Sequence, residues 1–247
     1  MLHWLNLLTA LLNHLFGADL TALMGHFGLH PFDPAAPIHN RLTLQLIVGA
    51  VMILFFIVVR LSLSVERPGK AQHVAEMVFE YVESQAVDII QHDYQRYLTY
   101  ATVIGVFVLL CNFVGLIPGI ATPTSSPVVP LGLAILTFIY YNCIGIWKQG
   151  PLGYFKHFLG PVWWLTPLML PMEIVSHLAR ILSLTVRLYA NMFASDLLTL
   201  VFFSLLPIGI PVIFLGLHFL VAIIQAYVFM LLTMIYLAQA VEHEESI

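Results

Sequence analysis

The stretch LTLQLIVGAVMILFFIVV, residues 42–59, is a continuous apolar run that lies between Arg41 and Arg60. A helix over these residues is about 27 Å long, because each residue of an α-helix adds about 1.5 Å. This length is close to the roughly 30 Å thickness of the hydrocarbon core of a bilayer. The run therefore predicts a helix that spans a membrane.

The composition of the whole chain agrees with a membrane fold. Of the 247 residues, 60% are hydrophobic and 9% are charged, whereas an ordinary soluble domain has about 25% charged residues. The mean hydropathy is +0.94. These values predict an all-α polytopic membrane protein. The net charge of −4 offers no basic face for nucleic acid, and no Walker-type phosphate loop occurs, so we expect no nucleotide chemistry and no catalytic reaction on this chain.

Four more apolar segments have the length of a membrane span. The predicted spans are 42–59, 97–116, 131–147, 168–203 and 212–241. Pro118 with Gly119, and Gly150 with Pro151, are helix breakers at the ends of the second and third spans. The aromatic-rich segment after Gly150 is predicted to be an interfacial connection.

An amphipathic segment, residues 71–93, lies between the first two spans. Its apolar and acidic residues alternate at helical intervals, which predicts a surface helix with a solvated acidic face. The apolar residues are Val74, Val78, Tyr81, Val82 and Ile89, and the acids are Glu76, Glu80, Glu83, Asp88 and Asp93.

Residues 1–40 are predicted to be an external or interfacial segment that precedes a membrane domain, 41–247. Leu, Trp and Phe are mixed there with polar residues such as His3 and Asn13, and neither a basic region nor a clear cleavage site marks a removable signal peptide. Cys111 and Cys143 lie in apolar runs without metal-ligand spacing, so we expect small core residues, and neither a metal site nor a cofactor.

The last two spans are unusually long. A helix over 168–203 is more than 50 Å long at about 1.5 Å per residue, so it must tilt steeply, bend or protrude from the bilayer. Five spans put the chain ends on opposite sides. Most Lys and Arg residues outside the spans fall on one side, which predicts an external N-terminus and a cytoplasmic C-terminus. They are Arg60, Arg67, Lys70, Arg96, Lys148 and Lys156 on that side, against Arg41 on the other.

A polar stripe runs along span 168–203. With 3.6 residues per turn, its members are separated by close to whole numbers of turns and share one face of the helix. They are Glu173, His177, Arg180, Arg187 and Asn191. Asp196 lies off this stripe, and we expect it to face the last helix.

The last span has a second stripe, formed by His218, Gln225 and Tyr236. Two polar stripes on consecutive antiparallel helices indicate a hydrated path between them or toward a partner. Hydrogen bonding between helices is the alternative, at about 0.6 to 2 kcal/mol for each polar group.

Arg187 favours a functional path. A guanidinium stays charged at physiological pH, and its insertion at mid-membrane costs about 2.5 to 3.5 kcal/mol. His218, Asp196 and Glu173 can exchange protons around it, whereas Arg187 can repel cations or attract a carboxylate. No acid stands one turn away in this chain, which leaves room for a carboxylate from a partner.

At these residues the sequence resembles subunit a of the F-type ATP synthases. SLTVRLYANMFASDLL (183–198) matches the family's S-L-x-x-R-L-x-x-N-M core, and LHFLVAIIQAYVFMLLTMIYLAQA (217–240), CNFVGLIPG (111–119) and TPT (122–124) follow the family's order and spacing. The resemblance covers nearly the whole chain from about Arg41.

The resemblance implies roles for individual residues. Arg187 matches the essential arginine, which meets the carboxylate of each passing c subunit. The half-channel open to the external side is matched by Asn191, Asp196, His218 and Gln225. Glu173 and Ser176 match the side that leads to the cytoplasm, and Tyr236 matches an aromatic residue of the last helix. Protons, the c-ring, the peripheral-stalk b subunits and lipid are the implied partners, and the bacterial inner membrane is the expected location.

Two positions depart from the family pattern. Where many members carry an acid after T-P-T, this chain has Ser125 and Ser126. Arg180 stands where other members often carry Lys or an apolar residue, and a cation that extends toward the cytoplasmic end is a simpler interpretation of it than a direct channel role. Arg180 and His177 are therefore secondary candidates for the channel.

Two other functions compete with an ion-translocating subunit. A self-contained secondary transporter for a small anion would bind its substrate at Arg187, although such folds usually have internal repeats and none is evident between the halves of this chain. A structural scaffold of a membrane complex is the other alternative.

Overall fold

A computed structural model of the chain describes residues 3–26, 38–61, 63–64, 69–91, 93–117, 120, 122–159, 166–205 and 209–241. Within these ranges the chain forms seven α-helices and one short 3₁₀ helix. They are α1 (His3–His26), α2 (Asn40–Leu61), α3 (Lys70–Ile90), α4 (Tyr94–Val114), the 3₁₀ helix Pro123–Ser125, α5 (Val128–Leu159), α6 (Thr166–Leu205) and α7 (Ile210–Val241). The predicted all-α fold class is confirmed.

Five of the described helices are long and apolar enough to cross a membrane, as the sequence predicts. These segments are Leu42–Leu61, Tyr94–Val114, Val128–Lys148, Pro167–Leu205 and Pro211–Val241. At about 1.5 Å per residue, α6 with 40 residues is about 60 Å long and α7 with 32 residues is about 48 Å long. Both helices are longer than the roughly 30 Å thickness of the hydrocarbon core. Their steep tilt stays a prediction, as does the domain boundary at residue 40.

Helix α5 differs from the predicted third span of 131–147. It begins earlier, at Val128, with Pro130 inside its first turn, where a missing N–H is tolerated. The predicted break is present as a kink at Gly150, whose φ of 70° is a left-handed conformation that glycine adopts readily. Beyond the kink, the predicted interfacial connection is helical as far as Leu159, and its aromatic side chains lie outside the described residues.

Helix α3 ends at Ile90, three residues before the predicted boundary, because Gln91 and Asp93 have φ values of 58° and 57°. Most of its acids are exposed, as the amphipathic pattern predicts. Its inner face packs on α4 and α7 through Val82 and Ala86. The predicted apolar face is narrower in the structure, since Val74 and Tyr81 are exposed.

Helix α1 packs on α2 through polar contacts. Thr9 Oγ1 and Thr43 Oγ1 are 2.9 Å apart, and Asn13 exchanges two hydrogen bonds of 2.9 Å with the backbone of Ile38. Of the two cysteines predicted to be core residues, Cys111 is buried but Cys143 is exposed on α5. A membrane helix can present a small apolar residue to lipid as readily as to the core.

The apolar core between α4, α5, α6 and α7 determines which face of α6 is buried. Leu184, Leu188 and Met192, each one turn apart, are buried in one apolar cluster with Phe229 of α7. The opposite side of α6 is apolar but exposed, with Leu182 and Leu200 among its residues. The polar residues of α6 lie beside this buried row.

Candidate functional site

Arg187 lies next to the buried residue Leu188 and is itself half-buried. Its Nη2 donates a long hydrogen bond of 3.4 Å to Ser183 Oγ, one turn earlier on α6. No carboxylate among the described residues lies within ion-pair distance of this guanidinium. The cation therefore has a weak partner within its own helix.

Asn191 connects the two long helices. Its Nδ2 donates a 2.8 Å hydrogen bond to Oε1 of Gln225. Gln225 is 3% exposed, and its Nε2 has no hydrogen-bond partner in the described parts of the chain. The two predicted stripes therefore meet at this pair, and a buried amide donor remains available beside them.

Asp196 is bound mainly by the turn after α4. We call Thr122 together with the 3₁₀ helix Pro123–Ser125 the TPT turn. The backbone N–H of Thr122 donates to Asp196 Oδ2 at 3.0 Å, and the Thr122 hydroxyl donates to Oδ1 at 2.6 Å. The expectation that Asp196 faces the last helix is therefore incomplete, because its hydrogen bonds go to this turn.

His218 of α7 faces the same carboxylate oxygen of Asp196 as the Thr122 hydroxyl does. Its Nδ1 is 3.9 Å from Asp196 Oδ1, which is beyond hydrogen-bond distance. The side chain is 0% exposed, and neither ring nitrogen has a hydrogen-bond partner among the described residues. A small movement or one bridging water would connect this imidazole to the carboxylate.

The residues that support Asp196 were not predicted from the sequence. Thr124 of the TPT turn donates a 2.7 Å hydrogen bond to Asn112 Oδ1, and Asn112 Nδ2 donates to the carbonyl of Ala222 at 3.4 Å. Asn112, Thr122 and Thr124 are all buried. In the sequence they correspond to the TPT motif and to a polar residue inside an apolar span. Both match the family pattern, but neither indicates a contact with Asp196.

A second polar cluster lies toward the start of α6. His177 Nε2 is 3.4 Å from Glu173 Oε1, and His177 Nδ1 shares a 2.9 Å hydrogen bond with the hydroxyl of Tyr141. Ser176, on the same turn, is partly buried. Tyr141 of α5 was not predicted, because a tyrosine in an aromatic-rich span gives no signal of its own.

Arg180 contacts the last helix directly. Its guanidinium carbon lies 5.2 Å from the centre of the Tyr236 ring, a cation–π contact. Tyr141 and Tyr236, whose ring centres are 6.0 Å apart, line a cavity of about 10 Å³ together with Arg180. A cavity of this size holds about one water molecule. No described group of three His, Cys, Asp or Glu side chains is arranged to hold a metal ion.

These features define the class of protein: a multi-pass helical membrane protein with titratable side chains along its longest membrane span, α6, and between α6 and α7. The family model for the ATP synthase A chain matches residues 42–238, so the chain belongs to that family. As a member, it is a subunit of the ATP synthase complex.

Relatives from several bacteria match almost the full chain. ATP synthase subunit a of Koribacter versatilis is 48% identical over 235 residues, which cover 95% of this chain and 96% of the relative. Subunit a of Solibacter usitatus is 46% identical and covers 94% of this chain and 98% of its own length. Subunit a of Helicobacter pylori is 40% identical, with 84% and 92% covered.

Proposed function

We propose that this chain is the proton-translocating subunit of its ATP synthase, with two offset half-channels and Arg187 between them. One observation carries the proposal: the weakly paired guanidinium separates two clusters of titratable residues along α6. At about 1.5 Å per residue, Glu173 lies about 21 Å before Arg187 along the helix axis, and Asp196 lies about 14 Å beyond it.

The external half-channel is assigned to the cluster around Asp196. Asp196 and His218 exchange protons there, and Asn191 with Gln225 orders the water between them and Arg187. The unpaired amide donor of Gln225 supports this assignment, because a buried donor without a partner suits a site that receives water or a proton carrier.

The cytoplasmic half-channel is assigned to Glu173, Ser176 and Tyr236, with His177 and Arg180 as additional residues. Glu173, His177 and the hydroxyl of Tyr141 form a continuous set of groups that accept and donate protons. The water-sized cavity next to Tyr141 and Tyr236 extends this set toward α7. Two clusters with Arg187 between them cannot pass a proton directly, because a guanidinium does not release one.

Arg187 then needs a partner that moves. We propose that the carboxylates of the c-ring subunits meet it in turn, along the exposed apolar sides of α6 and α7. Each carboxylate takes a proton from one half-channel, crosses lipid in neutral form and releases the proton to the other. The membrane potential supplies about 2.3 kcal/mol per proton per 100 mV. The peripheral-stalk b subunits hold the chain in place in the bacterial inner membrane, with the N-terminus external and the C-terminus cytoplasmic.

The test is the substitution Arg187→Ala in the assembled complex. ATP-driven proton pumping into membrane vesicles should be lost, while the amount of assembled complex stays the same. Ser183→Ala, which removes the weak partner on the same helix, is the matched control and should retain pumping. Pumping by Arg187→Ala at the rate of the unmodified complex would contradict the proposal.

A further inference from the structure

The TPT turn is held by hydrogen bonds within the turn, to α4 and to α6. The Thr122 carbonyl accepts hydrogen bonds from the Ser125 backbone at 3.1 Å and from the Ser125 hydroxyl at 2.8 Å. Thr124 connects the turn to Asn112 of α4. These contacts leave the N–H and the hydroxyl of Thr122 directed at the same carboxylate, that of Asp196.

Gly115 permits this arrangement. A Cβ atom added at residue 115 would overlap Thr122 Oγ1 and would lie 2.9 Å from Thr122 Cβ and 3.2 Å from Cε1 of His218. The φ of Gly115 is −68°, which any residue adopts, so the need for glycine here is one of space alone. The absence of a side chain lets the turn, the carboxylate and the imidazole approach one another.

We propose that Thr122 is a positioning residue that fixes the orientation of the Asp196 carboxylate and holds it away from His218. This inference rests on the proposed function of Asp196 in the external half-channel. Thr122 donates one hydrogen bond to each oxygen of the carboxylate, and the two bonds together fix its orientation. They also fix Oδ1 at 3.9 Å from Nδ1 of His218, so the two titratable groups are neighbours without a direct hydrogen bond.

The acid that many members of the family carry after T-P-T is absent from this chain, which has Ser125 there. In this chain Ser125 uses its hydroxyl to close the turn, and the turn contributes donors in place of a second carboxylate. Of the described residues, His218 is the titratable group within 4.0 Å of Asp196. The hydroxyl of Thr122 and the imidazole of His218 therefore both face Oδ1 of this carboxylate.

The experiment measures proton flux through the assembled complex in membrane vesicles as a function of pH. Thr122→Val removes the hydroxyl and keeps the shape of the side chain, whereas Thr122→Ser keeps the hydroxyl. Thr102→Val is the matched control, because the hydroxyl of buried Thr102 bonds the carbonyl of Leu98 within α4. Asp196→Asn tests the proposed function itself. Flux is normalised to the amount of assembled complex.

We expect Thr122→Val to shift the pH midpoint of flux, because the carboxylate loses the hydroxyl that fixes its distance from His218. Thr122→Ser and Thr102→Val should keep the original midpoint. If Thr122→Val does not assemble, Thr122→Ala removes the same hydroxyl with less volume and is expected to give the same shift.

The possible results separate the two proposals. Loss of flux in Asp196→Asn together with an unmoved midpoint in Thr122→Val would overturn the positioning role and leave the proposed function standing. Normal flux in Asp196→Asn would overturn the role of Asp196 and the inference with it. A uniform decrease of flux at every pH in Thr122→Val would show a merely structural role and would also overturn the inference.

Discussion

Asn191 and Gln225 join the two longest membrane spans, in α6 and α7, through a hydrogen bond of 2.8 Å from the amide nitrogen of Asn191 to the amide oxygen of Gln225. The pair is one turn from Arg187, and Asn191 is exposed while Gln225 is buried. The hydrogen bond between the helices accounts for Oε1 of the Gln225 amide. The other end, Nε2, has no partner among the described residues, and interhelical bonding does not explain it.

Gln225→Leu distinguishes a channel role from interhelical bonding. Burial of an unpaired polar group costs about 1 to 3 kcal/mol, so an apolar side chain of similar size should leave the free energy of unfolding unchanged or higher. Proton flux should nevertheless fall severalfold, because the amide that orders water next to Arg187 is gone. The measurements are thermal unfolding in detergent and flux in vesicles.

The control for this substitution is Gln239→Leu, at an exposed glutamine near the end of the same helix, which should alter neither quantity. A variant Gln225→Leu that unfolds more easily but carries normal flux per assembled complex would support the interhelical alternative and contradict the channel role.

Gly115→Ala should destabilise the fold, whereas Gly132→Ala should not. The added methyl group at residue 115 overlaps the side chain of Thr122, and overpacking of this kind costs about 1 to 3 kcal/mol. At residue 132, inside α5, a Cβ meets nothing within 4 Å, so alanine should add about 0.5 to 1 kcal/mol through lower backbone entropy. The free energy of unfolding in detergent gives both values. Equal effects of the two substitutions would show that the TPT turn has room to move.

The fold was largely predictable because membrane spans follow from composition alone. The apolar runs gave five helices of the correct type, and the excess length of the last two followed from the absence of breakers. Boundaries were less accurate where local conformation decided them. Helix α3 ends at a pair of residues with positive φ, and α5 begins at Val128, three residues before the predicted span. The predicted break at Gly150 is present as a kink with non-helical φ and ψ.

The site was only partly predictable. Helical periodicity put Asn191 and Gln225 on faces that do meet, because both residues lie on long regular helices. The hydrogen-bond partner of Asp196 could not be found in this way, since Thr122 reaches it from a turn. Asn112 supports that turn from another helix, through Thr124. Tyr141 was missed for the same reason: its contact with His177 is tertiary.

Asn13→Ala should loosen α1 without a change in proton flux. The side chain of Asn13 exchanges two hydrogen bonds with Ile38 and donates a third, of 3.1 Å, to the carbonyl of Thr9. Each such bond contributes about 1 kcal/mol, so their loss should speed amide hydrogen exchange in α1. Asn6→Ala, which removes a single exposed bond to Asn40, is the milder control. Reduced flux in Asn13→Ala would show that α1 contributes to the channel.

Tyr141→Phe tests the cluster at the start of α6. The substitution removes the hydroxyl that His177 Nδ1 contacts at 2.9 Å and keeps the aromatic ring that packs beside His177. The free energy of unfolding should fall by about 1 kcal/mol, the usual value of one hydrogen bond. If Glu173, His177 and Tyr141 carry protons, flux should fall severalfold as well.

The matched control is Tyr140→Phe, one residue earlier on α5, where the ring stacks on Tyr100 at 3.7 Å between centres. That stack survives the loss of the hydroxyl, so flux in this variant should equal that of the unmodified complex. Flux in Tyr141→Phe equal to flux in Tyr140→Phe would remove Tyr141 from the cytoplasmic half-channel, because both variants lose a tyrosine hydroxyl and only one of these hydroxyls contacts His177.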